Sequence, residues 1–148
     1  MNRREARDAA FSIIFERSFN REEPIEDFYK SAIESREIDD DSYLRRVVFG
    51  TDEKIEELDA VADKYFHNWK RNRISNVCAA ILRLATYEIL FMDKIPSVVS
   101  INEAIELSKK YDDDKAKNFI NGVLNSIAAE KTKESTIQND GKATSETE

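Results

Sequence analysis

Arginine and phenylalanine side chains at the start of the chain have the chemistry that binds single-stranded RNA. Guanidinium groups pair with phosphates, and aromatic rings stack on bases. The side chains concerned are Arg3, Arg4, Arg7, Phe11 and Phe15. At about 100° per residue, the first four share an arc of roughly 100° on a helix and the fifth lies just beyond it. An exposed basic turn with both phenylalanines in the core would show the same pattern, and alone the pattern favours that interpretation.

A second set of candidate residues lies where the last predicted helix begins. Its members are spaced i, i+3, i+4 and i+7 and so share one face. They are Lys115, Asn118, Phe119 and Gly122, with Asn121 to one side. Glycine inside a helix costs about 1 kcal/mol relative to alanine, and it is useful where another backbone comes close. Packing against a neighbouring helix and binding of a partner or nucleotide are the two interpretations of this face.

Residue counts exclude most catalytic and metal-binding chemistry. The chain has one cysteine, Cys78, and one histidine, His67, so neither an internal disulfide nor a Cys/His zinc site can form. Its three glycines make no phosphate-binding glycine loop. The acidic runs 39–41 and 112–114 lack calcium-loop spacing and are typical of helix N-caps. We therefore expect no enzymatic activity, no metal and no cofactor.

The elements that must position these residues are predicted to be helices. Apolar residues recur at steps of three and four along most of the chain. Three Gly and two Pro are too few for a turn-rich β or α/β fold. Helices are predicted at about 3–19, 24–33, 42–69 with a kink or break at Gly50, 75–92, 97–108 and 115–130. The predicted fold is an all-α, compact bundle of six to seven helices.

Composition divides the chain once, near residue 130. Residues 131–148 are polar and charged with one lone isoleucine, Ile137, a composition typical of disorder. We therefore predict one helical domain, 1–130, followed by a disordered acidic and polar tail, 131–148. The sequence shows neither a signal peptide nor an apolar run of membrane-spanning length, so the expected location is the cytoplasm.

Four motifs follow one another in a recognisable order and spacing. They are Arg3-Arg4-Glu5-Ala6-Arg7 with Phe15; the run 68–90, which includes Ala80-Ile81-Leu82-Arg83-Leu84; the run 95–111, which includes Ile101-Asn102-Glu103-Ala104-Ile105; and Phe119-Ile120-Asn121-Gly122-Val123-Leu124. Together they resemble the NusB family of bacterial transcription antitermination factors. The resemblance covers about residues 3–129.

The resemblance implies RNA binding without catalysis. Members of this family pair with NusE, which is also a small-subunit ribosomal protein, and the pair binds the boxA element of nascent RNA. They help to assemble an RNA polymerase complex that resists termination, notably on ribosomal RNA operons. The implied RNA-binding residues are Arg3, Arg4, Arg7, Lys115, Lys117, Phe119 and Asn121. The implied NusE contacts are Phe15, Cys78 and Ala79.

Two departures from the family pattern affect these surfaces. Cys78 and Ala79 stand where the family usually has an acidic and then a basic residue, and the acidic position is associated with NusE. Asp112 and Asp113 replace a frequent Gly-Gly pair and would repel phosphate. The whole chain has 23 basic and 30 acidic side chains, a net charge of −7. Any RNA contact must therefore be local, and a basic partner would supply the rest of the attraction.

Two other hypotheses stay open. One is a protein-interaction module, or a homodimer that buries the arginine face, without RNA binding. The other is a domain attached to a ribosomal RNA cytosine methyltransferase, some of which carry a domain of this type. The chain has no glycine-rich S-adenosylmethionine loop and no pair of catalytic cysteines, so it cannot be that enzyme by itself.

Overall fold

Seven helices make up most of the described chain. The structure is a computed structural model that describes residues 1–66 and 74–147, with side chains described in 1–66 and 74–134. The helices are α1 (Arg3–Arg17), α2 (Ile25–Arg36), α3 (Ser42–Glu53), α4 (Ile55–Asp63), α5 (Asn76–Phe91), α6 (Ser97–Tyr111) and α7 (Asp114–Thr147). These ranges contain no strand, which confirms the predicted all-α bundle. None of the helices described is both long and apolar enough to cross a membrane.

Polar side chains cap the helices where the sequence predicts helix starts. Asp41, Ser75 and Asp113 each accept a hydrogen bond of 2.9 Å from the backbone N–H three residues further along. These bonds satisfy donors that the first turn of a helix leaves without an intrahelical partner. The acidic runs 39–41 and 112–114 therefore supply caps, as the sequence predicts.

The third predicted helix is divided in two. α3 and α4 meet at Lys54, whose backbone leaves the helical region with φ −106° and ψ 19°. This break lies beyond the predicted position at Gly50. α4 then ends at Asp63, before the predicted end at Trp69; Trp69 and His67 lie outside the described residues.

Gly50 permits close packing instead of breaking the helix. It is buried inside α3, and a Cβ atom built on it would lie 2.2 Å from the ring of Tyr87 in α5. No pair of non-bonded carbon atoms tolerates that distance. The missing side chain thus lets Tyr87 pack directly against the backbone of α3.

α5 is the central helix of the bundle. It packs against α1, α3, α4, α6 and α7, and ten of its sixteen residues are buried. Its nearly all-round apolar pattern predicts this position. One of the buried residues is charged, Glu88, and its partners connect the core to the arginines of α1.

α7 continues past the predicted domain boundary. Its backbone is helical to Thr147, whereas the sequence predicts disorder from residue 131. Lys131 still contacts the bundle, because its ammonium donates to the carbonyl of Ile89 and, at 2.8 Å, to Asp93. Helical hydrogen bonds are local, so a packed helix can extend into a polar segment. The division into a domain of 1–130 and a tail of 131–148 stays a prediction.

Candidate nucleic-acid interface

Arg7, which the sequence predicts to contact RNA, lies inside the bundle. Its Nε and Nη2 donate to Oε2 and Oε1 of Glu88 at 2.9 and 3.0 Å. Arg7 is 5% exposed and Glu88 is 1% exposed. The same carboxylate accepts hydrogen bonds from the hydroxyls of Tyr43 at 2.6 Å and Ser100 at 3.0 Å. In this arrangement Arg7 is a buried part of the core at the base of the helix that carries Arg3 and Arg4, and its contact with RNA stays a prediction.

Burial and pairing with Glu88 have opposite effects on the pKa of Arg7 and the same effect on the pKa of Tyr43. Burial lowers the pKa of Arg7, but the hydrogen bonds and charge of Glu88 outweigh it, and the net pKa is raised. Burial, together with the Glu88 charge, raises the pKa of the Tyr43 hydroxyl far above its usual value. At neutral pH the cluster therefore contains a charged arginine and a neutral tyrosine.

The two arginines before Arg7 are exposed. The guanidinium of Arg3 lies 4.3 Å from the centre of the Tyr43 ring, and it forms no ion pair within the described part of the chain. Arg4, whose side chain is 74% exposed, pairs with Glu103 of α6. Its Nε and Nη2 donate to the Glu103 carboxylate at 3.3 and 2.9 Å, and this hydrogen bonding raises the pKa of Arg4.

A groove of about 570 Å³ between α1 and α6 carries charges of both signs. We call it the arginine groove. The Lys110 ammonium donates to Asp8 at 2.7 Å and the Tyr111 hydroxyl donates to the other Asp8 oxygen at 2.8 Å. The hydrogen bond to Asp8 raises the pKa of Lys110. The charged residues that line the groove are Arg4, Glu5, Arg7, Asp8, Glu103, Glu106, Lys109 and Lys110.

Phe15 lies in a second groove, which we call the aromatic groove and which shares Glu5 and Asp8 with the arginine groove. Rings follow one another along α1, with centre-to-centre distances of 4.8 Å from Tyr111 to Phe11, 6.2 Å from Phe11 to Phe15 and 5.1 Å from Phe15 to Phe19. Phe15 is half-buried, and Phe19 is 64% exposed. The groove has a volume of about 570 Å³, and its rings are Phe11, Phe15 and Tyr111, without Phe19. The other residues that line it include Ile38, Val77, Asp8, Glu16 and Arg36. It combines an apolar surface with a mainly acidic rim.

Lys115 and Phe119 lie together at the start of α7, with Cys78 beside them. The three line a cavity of about 130 Å³, which we call the α7 cavity. Phe119 is half-buried, and its ring centre is 5.2 Å from that of Phe66. Cys78 is buried. The structure thus groups Cys78, a predicted NusE contact, with residues predicted to bind RNA.

The other predicted residues of α7 face elsewhere. At about 100° per residue, Lys117 and Asn121 are roughly 160° and 200° around the helix from Phe119, and neither lines the α7 cavity. The Asn121 side-chain oxygen accepts a hydrogen bond of 3.0 Å from Asn125. Ala79 is half-buried on α5 and lines neither the aromatic groove nor the α7 cavity. The predicted last-helix residues therefore form two separate groups.

No described residue packs so close to Gly122 that a glycine is needed there. It is exposed, and a Cβ atom built on it would have nothing within 4 Å. The interpretation that this glycine admits a neighbouring helix has no support within the described residues. The space beside it is open to a ligand or a partner.

Asp112 and Asp113 have local structural roles between α6 and α7. Asp112 accepts a hydrogen bond of 2.8 Å from the hydroxyl of Ser75, the residue that caps α5. Asp113 caps α7 by accepting from the N–H of Ala116. Both carboxylates therefore lie near helix N-termini, whose partial positive charge offsets part of their repulsion of phosphate.

Sequence reasoning missed the carboxylates that hold the basic residues, namely Glu88, Glu103 and Asp8. Only Glu88 left a signal in the sequence, because it interrupts an otherwise apolar central helix. A buried carboxylate requires a cation or several hydrogen-bond donors, so a partner for Glu88 was to be expected. Among the described residues, no group of three or more His, Cys, Asp or Glu side chains is arranged to hold a metal ion.

Known sequences resemble this chain over most of its length. The NusB family model matches residues 4–129. The transcription antitermination protein NusB of Natranaerobius thermophilus is 42% identical over 132 residues, which cover 86% of this chain and 95% of that protein. The protein of the same name from Clostridium novyi is 40% identical over 130 residues, covering 86% and 98%.

Solved structures share the fold. The NusB of T. maritima superposes with a TM-score of 0.76 at 36% identity, covering 88% of this chain and 92% of that one. A chain in the crystal structure of the antitermination factors NusB and NusE in complex with double-stranded RNA gives a TM-score of 0.75 at 29% identity, covering 86% and 96%. On both the sequence match and the shared fold, the chain belongs to the NusB family.

Proposed function

We propose that this protein is a transcription antitermination factor that acts in the cytoplasm without catalysis or a cofactor. With NusE it binds boxA RNA of nascent transcripts, chiefly ribosomal RNA, and helps to assemble an RNA polymerase complex that resists termination. The observation that carries the proposal is the family match over residues 4–129, combined with similarity to a NusB chain solved with NusE and RNA.

The RNA surface that we propose has two parts. Arg3 and Arg4 offer exposed guanidinium groups at the start of α1. Lys115 and Phe119 offer an ammonium and a half-buried ring at the α7 cavity. These groups provide phosphate pairing and base stacking, the two interactions that single-stranded RNA uses most. Arg7 acts indirectly, by holding α1 against α5 through Glu88.

Lys117 and Asn121 stay predictions as RNA contacts. They lie on another side of α7 from Phe119, as helix geometry requires. Only an RNA that passes around the start of α7 would reach both groups. Substitution of Lys117 by alanine tests this directly, since a lost phosphate contact would reduce the salt dependence of binding.

The NusE surface that we propose centres on the aromatic groove. The half-buried ring of Phe15 and the exposed ring of Tyr111 offer apolar contacts. The rim carries Asp8 and Glu16, each paired with one cation, and a basic ribosomal protein suits such a surface. Val77 lines this groove, so the first turn of α5, with Cys78 and Ala79, lies next to it. Because Cys78 is buried, its thiol adds little contact area, and Phe15 is the main predicted anchor.

The test is binding of labelled boxA RNA to the protein, alone and with NusE, across a salt series. Selective binding that needs NusE is expected. Arg3→Ala and Arg4→Ala should weaken it, and each should reduce the salt slope by about 0.7 per lost phosphate contact. Lys30→Ala is the charge-matched control, since Lys30 is exposed on α2 and lines neither groove, and it should bind as wild type does.

Phe119 needs substitutions that separate stacking from packing. Phe119→Leu retains an apolar contact with Phe66 but removes the flat ring, and binding should weaken by about 1–3 kcal/mol. Phe119→Tyr keeps the ring and should bind nearly as well as wild type. If the arginine and Phe119 variants all bind boxA as wild type does, the assigned RNA surface is wrong. If the folded wild type shows no selective binding even with NusE, the proposed function is wrong.

A second candidate function is a protein-interaction module, or a homodimer, that does not bind RNA. The observation that favours it is that Arg4, Arg7 and Lys110 are already paired with Glu103, Glu88 and Asp8. This hypothesis predicts a stable partner complex through the aromatic groove, or a homodimer that buries the arginine face, and either should form without RNA. Light scattering detects the homodimer, and Phe15→Asp should disrupt the partner complex.

A further inference from the structure

We propose that Glu103 sets the affinity of the RNA surface by competing with phosphate for Arg4; the proposal rests on the RNA-binding function above. The Glu103 carboxylate accepts from Nε and Nη2 of Arg4 at 3.3 and 2.9 Å. These two donors form one of the forks with which arginine binds two oxygens of a phosphate. The carboxylate therefore occupies a position that an RNA phosphate would take.

The environment of the pair allows this exchange. The Arg4 side chain is 74% exposed, whereas that of Glu103 is only 17% exposed. Exposed ion pairs of this kind hold their partners weakly, so Arg4 can leave for a phosphate. Glu103 stays behind, because the buried Arg7 also holds it, with Nη1 at 4.0 Å. When Arg4 binds RNA, an acceptor with negative charge remains beside the phosphate and weakens the contact.

Glu103 differs in this respect from the other carboxylates of the arginine groove. Glu5 accepts a hydrogen bond from the backbone N–H of Asn2, and Glu88, which does not line the groove, is buried with Arg7. Asp8 forms an ion pair with Lys110. Glu106 forms one with Lys109, which lies three positions further along α6. Among the described carboxylates, Glu103 is the one bonded to an exposed arginine of the proposed RNA surface. The competition therefore depends on one pair of side chains and can be tested by substituting them.

The test measures boxA RNA binding by the complex with NusE for wild type, Glu103→Gln, Arg4→Ala and the combined variant. Glutamine keeps the shape of the side chain and one acceptor but removes the charge. Glu103→Gln should bind about threefold or more tighter at ~0.1 M salt, because no charged carboxylate then competes with the phosphate for Arg4. In the Arg4→Ala background the same substitution should give no gain, because the released donor is absent.

Glu57→Gln is the matched control for net charge. Glu57 is exposed on α4, outside the arginine groove, and among the described residues it pairs with Lys54 at 4.0 Å. This variant should bind as wild type does. Thermal unfolding of each variant verifies folding. Glu103→Asp provides a second variant if Glu103→Gln is unstable, since its shorter side chain withdraws from Arg4 and should give a smaller gain in the same direction.

Three outcomes would overturn the proposal. Weaker binding by Glu103→Gln would show that Glu103 positions Arg4 for RNA instead of competing with RNA. An equal gain in the Arg4→Ala background, or with Glu57→Gln, would show a general charge effect. Absence of selective binding by the wild-type complex would overturn the proposed function itself and this inference with it, and the wild-type measurement alone identifies that case.

Discussion

Arg7 and Glu88, 81 positions apart in the chain, are joined by two hydrogen bonds of 2.9 and 3.0 Å inside the bundle. Tyr43 and Ser100 donate to the same carboxylate. Four helices, α1, α3, α5 and α6, therefore meet at one buried charge. Because Arg3 and Arg4 precede Arg7 on α1, this cluster also determines where the exposed arginines point.

Substitution of Arg7 should strongly lower the free energy of unfolding. Arg7→Met leaves the Glu88 carboxylate buried without its cation, so the free energy of unfolding should fall by about 3–5 kcal/mol. Urea unfolding at neutral pH measures it. Arg4→Met is the control, because its ion pair is exposed and its loss should change the free energy of unfolding much less. Adding Glu88→Gln to Arg7→Met should recover part of the loss, whereas an Arg7→Met variant as stable as wild type would contradict the pairing.

Gly50 and Gly122 should respond oppositely to substitution by alanine. Gly50→Ala places a methyl group against the Tyr87 ring and should lower the free energy of unfolding by about 1–3 kcal/mol. Gly122→Ala meets open space and should raise it by about 0.5–1 kcal/mol through helix propensity. Urea unfolding of both variants is the measurement. If both variants changed the free energy of unfolding in the same direction, the contact with Tyr87 would not be what excludes a side chain at position 50.

Stability should decrease at alkaline pH. Burial and the Glu88 charge raise the pKa of Tyr43 in the folded protein, and burial and Asp40 do the same for Tyr29. A tyrosine whose pKa is raised by folding contributes its full stabilisation at pH values below its unfolded-state pKa of about 10. This contribution is lost as the pH rises above that value. Each tyrosine should contribute a slope of up to about 1.4 kcal/mol per pH unit.

Urea unfolding between about pH 8 and pH 11 measures this slope. Tyr43→Phe removes one of the two titrating groups, so its stability should fall less steeply with pH than that of wild type. It also loses the 2.6 Å bond to Glu88, which should cost about 1–3 kcal/mol at neutral pH. Equal slopes for the variant and wild type would contradict the assigned role of Tyr43.

The predicted tail can be tested by truncation and proteolysis. A chain that ends at Glu134 keeps Lys131 and its contacts with Ile89 and Asp93, so it should unfold at the same urea concentration as the full chain. A chain that ends at Glu130 should unfold at nearly the same urea concentration, since the Asp93 partner of Lys131 is exposed. Proteases should cut first within 131–148. A loss of several kcal/mol in either truncation would place this segment within the folded domain.

Much of the fold was predictable because it depends on neighbours in the chain. The apolar spacing predicts the helices, the all-round apolar pattern predicts the central place of α5, and Asp41, Ser75 and Asp113 mark helix starts. The break at Lys54 was not predictable from composition, since Gly50 is the better helix breaker. Gly50 remains helical because Tyr87, distant in sequence, packs against it.

The candidate site was also predictable from the sequence only in part. Residue types and order alone determined the family, the helical class and the candidate basic and aromatic residues of α1 and α7. Only the tertiary structure decided which of Arg3, Arg4 and Arg7 are exposed to solvent, because exposure depends on carboxylates that lie on distant helices. Glu88 removes Arg7 from solvent, Glu103 holds Arg4 at the surface, and the ring of Tyr43 supports Arg3. Periodicity is a property of one helix, whereas the burial of a charge is a property of the helices packed around it.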